Sequence, residues 1–181
     1  MIAANILDSV QATSLAARIR DSLYLFPTIE SFHVIGLTFV FGTAFVMDMR
    51  LLGLASTSRP FKHVARDVVK WAWFAFALTV TTGLLMFITN AVVYFHNPMF
   101  RFKMAALALA GLNMLVFELT TGRVLRQNGG VTTIPFAGRL AGIISLALWI
   151  AVIFFGRWIG FTTTGNETPD IDIKFEGIFK N

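Results

Sequence analysis

Four stretches of the chain are apolar at nearly every position, and the polar residues collect between these stretches instead of alternating within them. They run approximately over 29–52, 71–95, 102–125 and 140–161. A helix needs about 20 apolar residues to cross the hydrocarbon core of a bilayer, so the pattern predicts four membrane-spanning helices. Ahead of them, Ile2, Ile6, Val10, Leu15, Ile19 and Leu23 recur at roughly helical spacing among Asp8, Gln11, Arg18, Arg20 and Asp21. That spacing predicts an amphipathic interfacial helix over 1–25, ended by "FPT" at Pro27, and the interrupting charges argue against a cleaved leader. In the tail over 166–181, Ile171, Ile173 and Phe175 alternate with polar residues, as in an extended segment able to join the edge of a partner's sheet. The expected fold is all-α: an integral membrane four-helix bundle in one domain over 1–165, with an N-terminal interfacial amphipathic helix and a short extended C-terminal tail.

Composition agrees with this choice of solvent. Hydrophobic residues make up 56% of the 181 positions and charged ones only 14%, with a mean hydropathy of +0.70, well outside the range of soluble domains. The chain has no cysteine, which removes disulfides, thiolate metal sites, iron–sulfur clusters and covalent haem attachment. The net charge of +5 is accounted for by membrane loops, and no nucleic-acid partner is expected. Lys and Arg are almost evenly divided between the two sides, so their placement decides orientation. The loops "STSRPFKHVARD" and "GRVLRQNGGVTTIPFAGR" carry basic residues close to span ends, whereas Lys174 and Lys180 lie in the distal tail among acidic residues. Both loops are therefore expected in the cytoplasm and both termini in the periplasm of a bacterial inner membrane.

Short connections make consecutive spans antiparallel neighbours, and "HNPMF" predicts a tight hairpin between spans two and three. The pairs Gly138–Gly142 and Gly156–Gly160, with Ala106, Ala110 and Gly111, are the small residues that let helix backbones approach in lipid. Most Trp and Tyr residues fall near span ends as interfacial anchors, Trp149 excepted.

Ionisable residues inside such spans require a reason, because a charge at mid-bilayer costs at least roughly 2.5–3.5 kcal/mol. His33 lies about 6 Å inside span one, Lys103 opens span three from the same side, and His96 closes span two beside Asn97 and Pro98. Taken singly, His33 reads equally as an interhelical hydrogen-bond partner, Lys103 as a snorkelling cation and His96 as a headgroup-level residue. Together they bring three nitrogens from three helices to one leaflet. Haem b, held noncovalently between Phe-rich helices with His33 as an axial ligand, fits that set; copper on His33 and His96 is the alternative, although the methionines are dispersed over depth. Glu30 shares the helix face of His33 and is a candidate acceptor for its ring proton. A di-iron site fails because only one E-x-x-H pair is present. At the opposite end Asp48, Arg50 and Glu118 are expected to find partners on other spans, and His63 is expected to be solvated.

No G-x-S-x-G, phosphate-binding glycine loop or H-E-x-x-H occurs, and no span is interrupted by proline. These absences point away from a hydrolase, a nucleotide-driven pump and a transporter. Over Phe26 to Asn113, at "FPTIESFHVIGLTFVFGTAFVMDMRLLGLA" and "HNPMFRFKMAALALAGLN", the chain resembles an uncharacterised family of small bacterial four-span inner-membrane proteins. More distantly it is similar to the CopD-type copper-resistance membrane domain and to the four-span membrane protoporphyrinogen oxidase. The last resemblance implies a haem associated with His33 and Lys103, but the oxidase's further histidines on later spans are missing, so its activity is not implied. The CopD-like resemblance keeps copper as the alternative. The expected function is a haem b protein serving electron transfer between a periplasmic redox partner and the membrane. His33 would be axial, with Lys103 or His96 opposite it or near a propionate and with Glu30 and Asn97 at the site's edge. The alternative readings are a cofactor-free anchor subunit of a larger membrane complex and a copper-handling protein.

Overall fold

The computed structural model describes residues 2–55, 61–127 and 134–164. Every regular element among them is helical: α1 (Ile2–Gln11), α2 (Ser14–Asp21), α3 (Leu25–Leu52), α4 (Phe61–Thr89), α5 (Ala91–His96), α6 (Pro98–Phe117), α7 (Arg123–Gln127) and α8 (Phe136–Thr164), with one π turn at Glu118–Gly122 between α6 and α7. Four helical segments, Leu25–Leu52, Val68–Thr89, Pro98–Leu125 and Phe136–Thr163, are long and apolar enough to cross a membrane. The chain is a multi-pass membrane protein with an all-α four-helix bundle. The extended tail expected over 166–181 lies outside the described residues.

The bundle coheres through small side chains. Large apolar residues such as Phe39, Phe74, Leu112, Met114 and Ile150 face outward, while Ala75, Ala106, Ala110 and Val152 fill the inside. Such inversion of residue size is what packing against lipid produces, since burying a leucine inside gains little over leaving it in hydrocarbon. At Gly36 an added Cβ would stand 2.6 Å from Thr79 Oγ1, and at Gly142 3.2 Å from Leu51 Cβ. Those two glycines set the close crossings of α3 with α4 and of α3 with α8. Gly138 is likewise tightly packed, whereas Gly111 and Gly160 have open space where a Cβ would go, so the expected packing role falls on only part of the set.

Two expectations are corrected. Pro27 does not end an interfacial helix but sits in the first turn of α3, where a missing amide costs nothing. Ser22 Oγ accepts from Leu25 N at 3.2 Å ahead of it, and the N-terminal segment is divided at Thr13, whose hydroxyl caps α2. Secondly, spans two and three are not packed along their length. The extended contacts join α3 with α4, α3 with α8 and α6 with α8. The reason lies at Asn90, whose φ of −143° and ψ of 49° break the helix. The break releases backbone groups that α1 and α2 then satisfy: Arg20 donates to the Thr89 carbonyl at 3.1 Å, and Val92 N donates to Gln11 Oε1 at 3.2 Å. Only the short α5 forms the hairpin with α6, and the rings of Phe87, Tyr94 and Phe100 fill the wedge between the separated helices.

Candidate functional site

The site is built by the half of the bundle nearest α5, one residue type per helix. From α3 comes His33, half-buried, whose Nδ1 lies 3.0 Å from the Thr79 carbonyl oxygen and 3.1 Å from Thr82 Oγ1. A carbonyl only accepts, so Nδ1 carries the ring proton. The Thr82 hydroxyl agrees, because its own proton is directed to the Leu78 carbonyl at 2.7 Å and leaves a lone pair for the imidazole. Nε2 is thereby fixed as the unprotonated nitrogen, and no hydrogen bond to it occurs among the described residues.

From α4 comes the space for that ring. A Cβ on Gly83 would stand 3.0 Å from His33 Cε1 and 3.4 Å from Nδ1. Any larger residue there would meet an imidazole already held by two hydrogen bonds. From α6 comes Lys103, half-buried and within electrostatic reach of His33. Its stem runs along α8 at Gly156, where a Cβ would lie 3.7 Å from Cδ, Cε and Nζ. Among the described residues the ammonium has no ion-pair or hydrogen-bond partner. The helices that carry His33 and Lys103 are not packed against one another along their length. His33 and Lys103 are thus both half-buried, on helices without extended contact with each other.

The other expected residues are placed differently. Glu30 is exposed, and no hydrogen bond joins it to the His33 ring; Thr79 and Thr82 take the orienting role expected of it. His96 is exposed at the end of α5, with Nδ1 2.8 Å from its own helix's Val92 carbonyl. Asn97 is buried, and its side chain is committed to structure: Oδ1 accepts from Met99 N at 2.8 Å and Nδ2 donates to Thr162 Oγ1 at 2.8 Å. Of the five residues expected at the site, the structure keeps His33 and Lys103 half-buried, leaves His96 and Glu30 at the surface and commits Asn97 to a helix cap, while the sequence reading misses Thr79, Thr82, Gly83 and Gly156. The run "TVTTG" over 79–83, polar in the middle of an apolar span, is the signal that points to the first three.

The chain belongs to the DUF6644 family. That family, described as a family of unknown function, matches residues 18–162, which take in all four spans and both site residues. No curated protein and no solved structure matches the chain significantly. For this DUF6644 protein the donor set itself bears on the ligand. Among the described residues no three His, Asp or Glu side chains gather in one place, and with cysteine absent His33 has no cluster of metal donors beside it. A lone imidazole with a cation nearby fits a ring-bound iron better than a copper ion that draws all its ligands from side chains.

At the opposite end Asp48 and Arg50 are buried on α3, where Gly142 of α8 packs against the Asp48 backbone. Glu118 opens the π turn, and His63 is exposed.

Proposed function

We propose that this membrane protein binds haem b between α3 and α6, with His33 as an axial ligand and Lys103 beside a propionate, and that it serves electron transfer between a periplasmic redox partner and the membrane. The observation that carries the reading is the His33 tautomer. An imidazole that donates Nδ1–H to a carbonyl and a hydroxyl presents the Nε2 lone pair in a fixed direction, the arrangement that metal-bound histidines use. An ammonium with no partner among the described residues supplies the complementary charge for a carboxylate, and the aromatic rings of Phe87, Tyr94 and Phe100 form an apolar wall near the same end of the bundle. When bound, the haem would supply one-electron chemistry, while this chain would supply ligation, orientation and exclusion of water.

In this reading the end of the bundle that carries His33 faces the periplasm and the basic loops face the cytoplasm of a bacterial inner membrane. The test is an oxidised and reduced visible spectrum of the protein purified in mild detergent. Sharp reduced α-bands, lost in His33→Ala and retained in His96→Ala, are the expected result. A colourless preparation from cells supplied with haem precursor overturns the proposal, as does a spectrum indifferent to His33.

A further inference from the structure

Spans α4 and α6 follow one another in the chain, yet no extended contact joins them. At the α5 end the gap between them is closed by aromatic rings. Phe87 of α4 stacks on Phe100 of α6 with 5.5 Å between ring centroids, and Tyr94 of α5 stands 6.5 Å from the first and 6.1 Å from the second. Phe87 is four residues from Gly83, which packs on the His33 ring, and Phe100 is three residues from Lys103. At 1.5 Å per residue the rings stand about 6 Å and about 4.5 Å beyond those levels, on the same helix faces. They lie between the end of the bundle and both site residues.

The element that carries Tyr94 is held in an unusual way. α5 has six residues, and a helix shorter than about 12 residues is marginal by itself. The backbone leaves helical geometry on both sides of it, at Asn90 with φ −143° and ψ 49° and at Asn97 with φ −71° and ψ 120°. Asn90 provides no side-chain cap. The cap comes from the N-terminal segment instead: Gln11 Oε1 of α1 accepts from Val92 N at 3.2 Å, while Arg20 of α2 donates to the Thr89 carbonyl, at the cut end of α4, at 3.1 Å. α5 makes its most extensive contact with α1, ahead of α4 and α6. At its far end Asn97 is fixed, because its side chain donates to Thr162 of α8 and caps α6.

We infer that α5 is a lid over the gap between α4 and α6, hinged at Asn90 and Asn97, and that Gln11 and Arg20 are its latch. When the two bonds open, α5 carries Tyr94 aside and the Phe87–Phe100 pair parts, so that a planar, largely apolar ligand passes between the rings toward His33 and Lys103. The inference rests on the haem reading, of which it names the entrance.

Two readouts on the full chain in detergent test it, one of them without ligand. In hydrogen–deuterium exchange, amides over 89–96 are expected to exchange about fivefold faster in Gln11→Leu and in Arg20→Gln, as follows from one net hydrogen bond. Arg20→Lys, which keeps a donor, is expected to restore much of the protection, and α6 and α8 keep wild-type exchange in all three. The second readout follows uptake of added haemin by haem-free protein. Both latch variants are expected to load about fivefold faster and to reach the spectrum and occupancy of the wild type. Phe87→Cys with Phe100→Cys, in a chain that has no other cysteine, is expected to load more slowly once a short thiol cross-linker joins the pair. Unchanged exchange over 89–96 in both latch variants overturns the inference, as does exchange that rises equally in every helix. Haemin uptake at the wild-type rate in both latch variants overturns it too. A wild type that takes up no haemin overturns the haem site, and the entrance with it, even where exchange shows the latch to open.

Discussion

His33 Nδ1 stands 3.0 Å from the carbonyl oxygen of Thr79, a residue 46 positions further along the chain. That carbonyl is an unusual partner, since a main-chain oxygen inside a helix normally serves its own helix. Here the α3–α4 crossing is close enough, through Gly36, for an imidazole to reach it. The tautomer of His33, and with it the free nitrogen, is thus a product of helix packing.

Gly83→Val is expected to displace the imidazole, because the new Cβ meets Cε1 at 3.0 Å and the ring cannot yield without losing its hydrogen bonds. Overpacking of this kind costs about 1–3 kcal/mol. The measurements are thermal midpoint, expected to fall, and, for the proposed haem, its retained absorbance, expected to fall with it. Gly111→Ala, where a Cβ meets nothing, leaves both unchanged and serves as the control; a silent Gly83→Val contradicts the geometry.

Thr82→Val removes one of the two acceptors of the His33 ring proton and keeps the Thr79 carbonyl. A loss of about 1 kcal/mol in unfolding free energy follows from one buried hydrogen bond. On the haem proposal the visible spectrum is expected to persist with a shifted midpoint potential, since basicity of the imidazole depends on what its other nitrogen donates to. Potentiometric titration of wild type and variant reads this out.

Asn97→Ala deletes the cap of α6 and the bond to Thr162 on α8. Cap loss alone costs about 1 kcal/mol, and the interhelical bond adds about as much. Denaturation in detergent should register that destabilisation, while the visible spectrum stays as in the wild type. His96→Ala, an exposed position, should alter neither.

Tyr94 gives a pH dependence. Burial, and after it the Glu30 carboxylate, raise its phenol above the ordinary value of 10.0. The folded protein therefore holds this proton more tightly than the unfolded chain. The stabilisation is fully present below about pH 10 and is lost as pH rises through the higher folded value. Thermal midpoints between pH 8 and 12 should fall less steeply for Tyr94→Phe than for the wild type, with Glu30→Gln between the two; superimposable curves would exclude the effect.

What the amino-acid sequence determines on its own is the solvent and the elements. Apolar runs of span length dictate membrane helices, because no unpaired backbone group is tolerated in hydrocarbon, and the depth of His33 and Lys103 follows from counting along a helix. Even the start of α6 is written locally, in Asn97 followed by Pro98. Neighbour relations are not written that way. Side chains that face lipid and side chains that face another helix are equally apolar, so periodicity does not say that α4 turns away from α6 at Asn90. Nor does it say that Gly83 and Gly156 stand over the two site residues. Those contacts arise from close helix crossings at small residues, and only the folded bundle decides that His33 is oriented by Thr79 and Thr82 while Glu30 and His96 remain outside.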